Sequence, residues 1–337
     1  MVSKLYSKVN QFLKENIMFI IGMVLFYLIV NMPLPYYIHT AGGLIDITDK
    51  VTIEGEYKQE GSINLTYVSE IKGNVLTCLM SYVFPNWDLV RKEEVYPVNE
   101  TYEDATYRNQ LFLTEANQNA VFLAYQEAGK YININKQNHY LVYIDKIAKT
   151  NLKIKDEILL VENQPISSVI DYQNIVNNYK VGDKLTIKVK DEKGKEIDKY
   201  IEVIEYEGIK ITGIYFVTKY DYITNPKIKF NFKESESGAS GGLMMTLSIY
   251  NKLTKEDITK GKKIVGTGTI DLYGNVGEIS GIKYKLKGAV RNKADIFFVP
   301  NGSNYEEAIA LKAKNDYNIQ IISISTFVDA LNYLNEL

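Results

Sequence analysis

The densest apolar run in the chain lies near its start. Residues 17–38 carry no charged side chain, and Ile17 to Val30 shows no polar face. A bilayer core of roughly 30 Å takes about 20 apolar residues in a helix. The run reaches that length by including Asn31, Pro33 and Pro35. Lys4, Lys8 and Lys14 precede it, and Tyr27, Tyr36 and Tyr37 suit an aromatic belt. The pattern predicts a single-pass anchor over residues 17–38, with residues 1–16 cytoplasmic and everything after the anchor extracellular. A cleaved signal peptide is the competing reading, and Thr40-Ala41-Gly42 matches its A-x-A-like site poorly.

Beyond the anchor the pattern changes. Val51 to Gly55 and Ser62 to Val68 alternate as strands do. Asn74 to Val83 and Gln110 to Gly129 read as helices, the second from the spacing of Leu111, Ala116, Ala120 and Leu123, with Gly129 as its stop. Residues 39–130 are therefore a β-rich and helical segment. Residues 131–206 run strand (Tyr140–Ile144), strand (Leu152–Val161), helix (Ser168–Tyr179), a turn at Val181-Gly182-Asp183-Lys184, then strand (Leu185–Lys190). Residues 207–337 alternate strands with helices at 241–253, 282–292, 304–314 and 326–334, as an α/β module with mixed sheets. The whole reads as α+β.

Composition narrows the function. A net charge of −2 offers no basic field for nucleic acid. One cysteine, Cys78, allows neither an internal disulfide nor a Cys-pair metal site, and reads best as a small buried residue. The two histidines, His39 and His139, lie far from any H-E-x-x-H pattern, so neither metal nor cofactor is expected. No G-x-x-x-x-G-K-[ST] occurs, so no ATP-binding loop is encoded in these residues.

Candidate chemistry sits at Ser240, in Ser237-Gly238-Ala239-Ser240-Gly241-Gly242, ahead of an apolar helix. Gly238, Ala239 and Gly241 make a tight loop, and a helix N-terminus offers N–H groups to an oxyanion. A helix cap or turn residue is the plain alternative. A serine nucleophile needs a base, and neither histidine lies in the same module. A buried, neutral lysine serves in Ser–Lys sites. Lys283, Lys285 and Lys287 compete. On a helix Lys283 and Lys287 share a face, while Lys285 lies near Ile282 and Ala289 on the apolar side. By facing alone, a surface lysine snorkelling over apolar surface fits as well.

These residues resemble known families. Residues 131–206 look like a PDZ domain, with Ile154-Lys155 in place of its Pro-Gly and Glu162-Asn163 in place of its Asn-Gly. No Gly-Leu-Gly-Phe loop is present, so C-terminal peptide capture and a structural spacer both remain open. Residues 207–337 resemble the proteolytic domain of Lon-type peptidases. The family's Asp-Gly-Pro-Ser-Ala-Gly aligns with Ser237 to Gly242, and its lysine motif with Thr267-Gly268-Thr269 and Gly274 to Lys285. The departures are Ser237, Ala239, Gly241, Thr269 and Ser280. The resemblance implies Ser240 as nucleophile, Lys285 as base and Thr267 as the base's partner. The order of segments is similar to membrane-bound, PDZ-containing Lon-like proteases of Gram-positive bacteria. That implies an ATP-independent endopeptidase acting on exported peptides or membrane-protein ectodomains, and self-association. Some relatives are implicated in maturing secreted signalling peptides. A non-catalytic peptide-binding adaptor and a Ser–Lys hydrolase of non-peptide acyl groups are the alternatives.

Overall fold

The computed structural model describes residues 2–96, 100–233, 236 and 238–337, with backbone alone for residues 2–5 and 7–9. It is a mixed α+β protein of two compact units, Met1–Ala41 with Val68–Pro97, and Gly42–Tyr67 with Val98–Leu337.

The first unit corrects the anchor. Its apolar helix is Ile17–Val30, only 14 residues, and it stops at Asn31. At 1.5 Å per residue such a helix covers roughly 21 Å, short of a bilayer core. The cause lies in the residues that the expected span needed. Pro33 and Pro35 lack backbone donors and bias their predecessors away from helix. The chain turns extended at Pro33–Asp46, so Tyr36 and Tyr37 are strand residues. They pair antiparallel with Asp88–Arg91, Tyr36 opposite Arg91 and Tyr37 opposite Val90. Among the described residues no helix is long and apolar enough to cross a membrane. The single-pass anchor over 17–38, and the cytoplasmic and extracellular sides assigned from it, are therefore not supported. Lys4 and Lys8, invoked for that orientation, have side chains outside the described residues. In the same unit Glu70 accepts from Tyr96 Oη at 2.9 Å and pairs with His39 Nε2 at 3.2 Å.

Among the described residues the second unit holds three two-stranded sheets and two larger ones. One runs, in order, Gln320–Ile324, Ile296–Pro300, Lys263–Gly266, and then the parts of Ser62–Asn74 and Pro33–Asp46 that fall within this unit. Lys263–Gly266 pairs in parallel on both sides, with Val265 opposite Phe297 and Gly266 opposite Leu65. Ile296–Pro300 is buried throughout, as a parallel strand covered on both faces must be. Against this core lie helix Gly242–Leu253 and helix Tyr102–Glu127. The latter begins eight residues before its sequence-predicted start at Gln110. Thr101 and Asp104 form a capping box there, each side chain accepting from the other's backbone N–H.

The other sheet is antiparallel, in the order Ile214–Asn225, Tyr131–Ile144, Glu157–Val161, Lys184–Lys190, Glu196–Glu202. It has its own core around Leu141, Ile158, Val176, Leu185 and Ile201, with helix Val169–Asn177 packed on it. Ile214–Asn225 belongs to this sheet, although it lies beyond residue 206 in the chain. Its pairing partner begins at Tyr131, and so distant a partner leaves no local signal. Within this core Lys199 Nζ reaches both Asp156 oxygens, at 2.8 and 2.6 Å, which compensates two buried charges.

Candidate active site

The serine helix, Gly242–Leu253, is mostly apolar, and nearly every residue in it is buried, Thr246, Ser248, Asn251 and Lys252 included. It has no side-chain cap; its cap position is Gly241. Ser240 is therefore not the helix cap; it lies in the turn just ahead of it. The helix starts where backbone crowds backbone. A Cβ on Gly242 would stand 2.8 Å from Ile270 Cγ2 and 2.9 Å from Ile270 N, so only glycine fits.

The turn ahead of it is fastened on three sides. Gly238 donates its N–H to Asn109 O at 3.0 Å, from helix Tyr102–Glu127. Ala239 O accepts from Gly242 N at 3.1 Å. Ser240 O accepts from Gly268 N at 2.8 Å and from Thr267 Oγ1 at 2.9 Å, while Gly268 O accepts from Leu243 N at 3.1 Å. Further back, Lys50 Nζ binds both oxygens of Glu236 at 2.8 and 2.9 Å. Ser237, set against the family aspartate, lies outside the described residues. Gly238 has spent its N–H on Asn109, so it is no oxyanion donor. Among the described residues the N–H groups of Ser240 and Gly241 have no acceptor, and along the chain they flank the Cα that carries the serine side chain.

The lysine helix, Ile282–Arg291, starts from Gly281 in a left-handed conformation, φ +79°. Ile282, Leu286 and Ala289 enter a core with Val265, Phe297 and Val299. Lys285 lies on the flank of that face and is 3% exposed. Its Nζ donates to Thr267 Oγ1 at 3.0 Å. Burial draws the ammonium down from 10.5 to about 7, and no charged neighbour contributes to the shift. Lys283 is exposed and lies over the Tyr284 ring, 5.6 Å from its centroid. Lys287 is half-buried and lowered less decisively, by burial first and then by Arg291 and Lys283.

Thr267 joins the two helices. It is fully buried, it accepts from Lys285, and it donates to the Ser240 carbonyl. A hydroxyl used in both directions has a fixed rotamer, so it holds the amine in place relative to the serine turn. Ser240, Thr267 and Lys285, together with the turn of Gly238, Ala239 and Gly241, are thus brought to one locus. His139 is not. His139 is buried in the antiparallel sheet, where Nε2 donates to Ile166 O at 2.9 Å and Nδ1 faces Thr218 Oγ1 at 3.0 Å. His39 is held by Glu70 in the first unit.

Sequence reasoning passed over the residues that brace this locus. Asn109 acts through its backbone, so its side chain carried no signal. Lys50 and Glu236 are separated by most of the chain. Asn304, which holds Ile279, gave one faint sign in following Pro300-Asn301-Gly302 at a helix start.

Residues 232–334 match the C-terminal proteolytic domain of Lon protease (S16). A Lon protease of Neorickettsia sennetsu is 34% identical over 100 residues, which are 29% of this chain and 12% of that protein. The match supports a serine protease, and the chain spans a small part of that relative's length. The PDZ domain of an SdrC-like protein from Listeria innocua aligns at 23% identity over 23% of this chain and 92% of its own, with a TM-score of 0.22. A solution structure of the second domain of the same Listeria protein aligns at 22% identity over 25% of this chain and 88% of its own, also at 0.22. Likeness at that level decides nothing about the antiparallel module.

Proposed function

We propose that this chain is a serine endopeptidase in which Ser240 is the nucleophile and Lys285 the general base. One observation carries the reading: a buried lysine, its ammonium drawn down to about 7, tied through Thr267 to the backbone of a serine at a helix entrance. The match of residues 232–334 to a proteolytic domain supports the same chemistry.

The steps follow from the donors and acceptors. A neutral amine has two hydrogens and one lone pair. One hydrogen goes to Thr267 Oγ1, which leaves the lone pair for the serine proton. Ser240 Oγ attacks the scissile carbonyl as Lys285 takes that proton. The Ser240 and Gly241 N–H groups receive the oxyanion. The ammonium then returns its proton to the leaving amine, and water repeats the cycle on the acyl-enzyme. Hydrolysis of the peptide bond drives these steps, and none of them calls for ATP. The expectation of exported substrates, which the resemblance implied, loses the support of the single-pass anchor. The substrate proposed is an extended polypeptide segment that presents its carbonyl to the half-buried serine.

A serine-reactive phosphonate tests the nucleophile. It should label the protein once, at Ser240 by peptide mapping; labelling elsewhere, or none, would remove Ser240 from the role. The pH profile tests the base. Below about pH 7 the amine is increasingly protonated and loses its lone pair, so kcat/KM should fall, approaching roughly tenfold per pH unit, by about fiftyfold between pH 7 and pH 5. A rate flat across that interval would exclude Lys285 as base.

A further inference from the structure

Four residues, Glu278 to Gly281, separate the short strand Val276–Gly277 from the lysine helix. They are gripped by the start of a third helix, Ser303–Asn315. Asn304, 5% exposed, accepts the Ile279 N–H on Oδ1 at 2.8 Å and donates Nδ2 to the Ile279 carbonyl at 3.0 Å. Beside it, Glu278 Oε1 accepts from Ser303 N at 3.0 Å and from Ser303 Oγ at 2.7 Å. Two residues past Ile279, the Gly281 carbonyl accepts the N–H groups of both Tyr284 and Lys285 at 3.1 Å. One turn of helix therefore separates the clasp from the base.

We propose that Asn304 is a positioning residue for Lys285: its amide closes on both backbone groups of Ile279 and so fixes the turn from which the lysine helix starts. Only a side chain with a donor and an acceptor on one plane can do this. Removing it leaves two backbone groups of a partly buried residue unpaired, and they regain partners by turning toward water. The left-handed Gly281 and the first helical turn follow. Lys285 sits in that turn, and it owes its neutral state to burial alone. Its displacement therefore restores the proton. Asn304→Asp keeps the acceptor and loses the donor, so it should fall between wild type and alanine.

The inference rests on Lys285 being the base, yet its first readout needs no activity. The Lys285 side-chain resonance is titrated in lysine-labelled protein, assigned by its absence in Lys285→Arg. In Asn304→Ala the midpoint should rise by about one unit or more. At pH 7 kcat should then drop about tenfold, with KM nearly unchanged and activity regained at higher pH. An unmoved midpoint in folded Asn304→Ala overturns the proposal. Should that variant fail to fold, Asn304→Asp carries the test, and an unmoved midpoint there overturns it equally. A moved midpoint in a chain without Ser240-dependent cleavage sustains the positioning role and sinks the peptidase reading instead.

Discussion

Lys285→Met should lose peptide cleavage by about a thousandfold while folding better than the parent. The loss follows from removing a general base, worth roughly 10² to 10⁴ in rate. Methionine matches the lysine stem and fills its slot, so a collapsed site is not the cause. The gain in stability comes from the same burial that leaves the amine partly unprotonated near neutral pH. Unfolded, the amine keeps its proton up to about pH 10.5; folded, only up to about 7. Between those values the unfolded chain binds more protons, so stability rises with pH across the window. Below pH 7 the penalty for burying the amine is present in full. Removing the group removes it, less the lost bond to Thr267, for a net gain on the order of 1–3 kcal/mol near neutral pH. Thermal or urea unfolding beside a peptidase assay reads both quantities. A variant both inactive and less stable would mean that Lys285 is a packing residue. A variant that remains active would move the base elsewhere, Lys283 being the first to examine.

Much of this site could be read from local pattern. The serine helix begins at Gly242 where small residues meet an apolar run, and the lysine helix turns Lys285 inward beside Ile282 and Ala289. Both depend on helical periodicity, which a short window contains. The membrane span failed for a related reason. The apolar run Ile17–Val30 predicts a helix and forms one, but a membrane span needs Asn31, Pro33 and Pro35 as well, which lie beyond the helix end. The strand Ile214–Asn225 and the parallel pairing of Lys263–Gly266 with Ser62–Asn74 join segments far apart in the chain, and alternation within a strand does not name its partner. The braces were hidden likewise. Asn304 looks like any polar residue at a helix start until Ile279 is laid against it.

The largest effect expected is that of Ser240→Ala. Deleting one oxygen removes the atom that forms the acyl-enzyme, and among the described residues Thr267, the hydroxyl that Lys285 contacts, is already engaged. Thr267 already donates to the Ser240 carbonyl and accepts from Lys285. Alanine tolerates the turn, and the serine hydroxyl does not cap the helix, so the fold should persist. The decisive measurement is cleavage of an unfolded protein substrate at pH 8 by the wild-type chain beside its Ser240→Ala form, with the fragments identified by mass. Cleavage by the wild type at discrete internal bonds, falling about ten-thousandfold or more in the variant, is the result predicted. Equal cleavage by the two proteins, or none by a folded wild type, would contradict it.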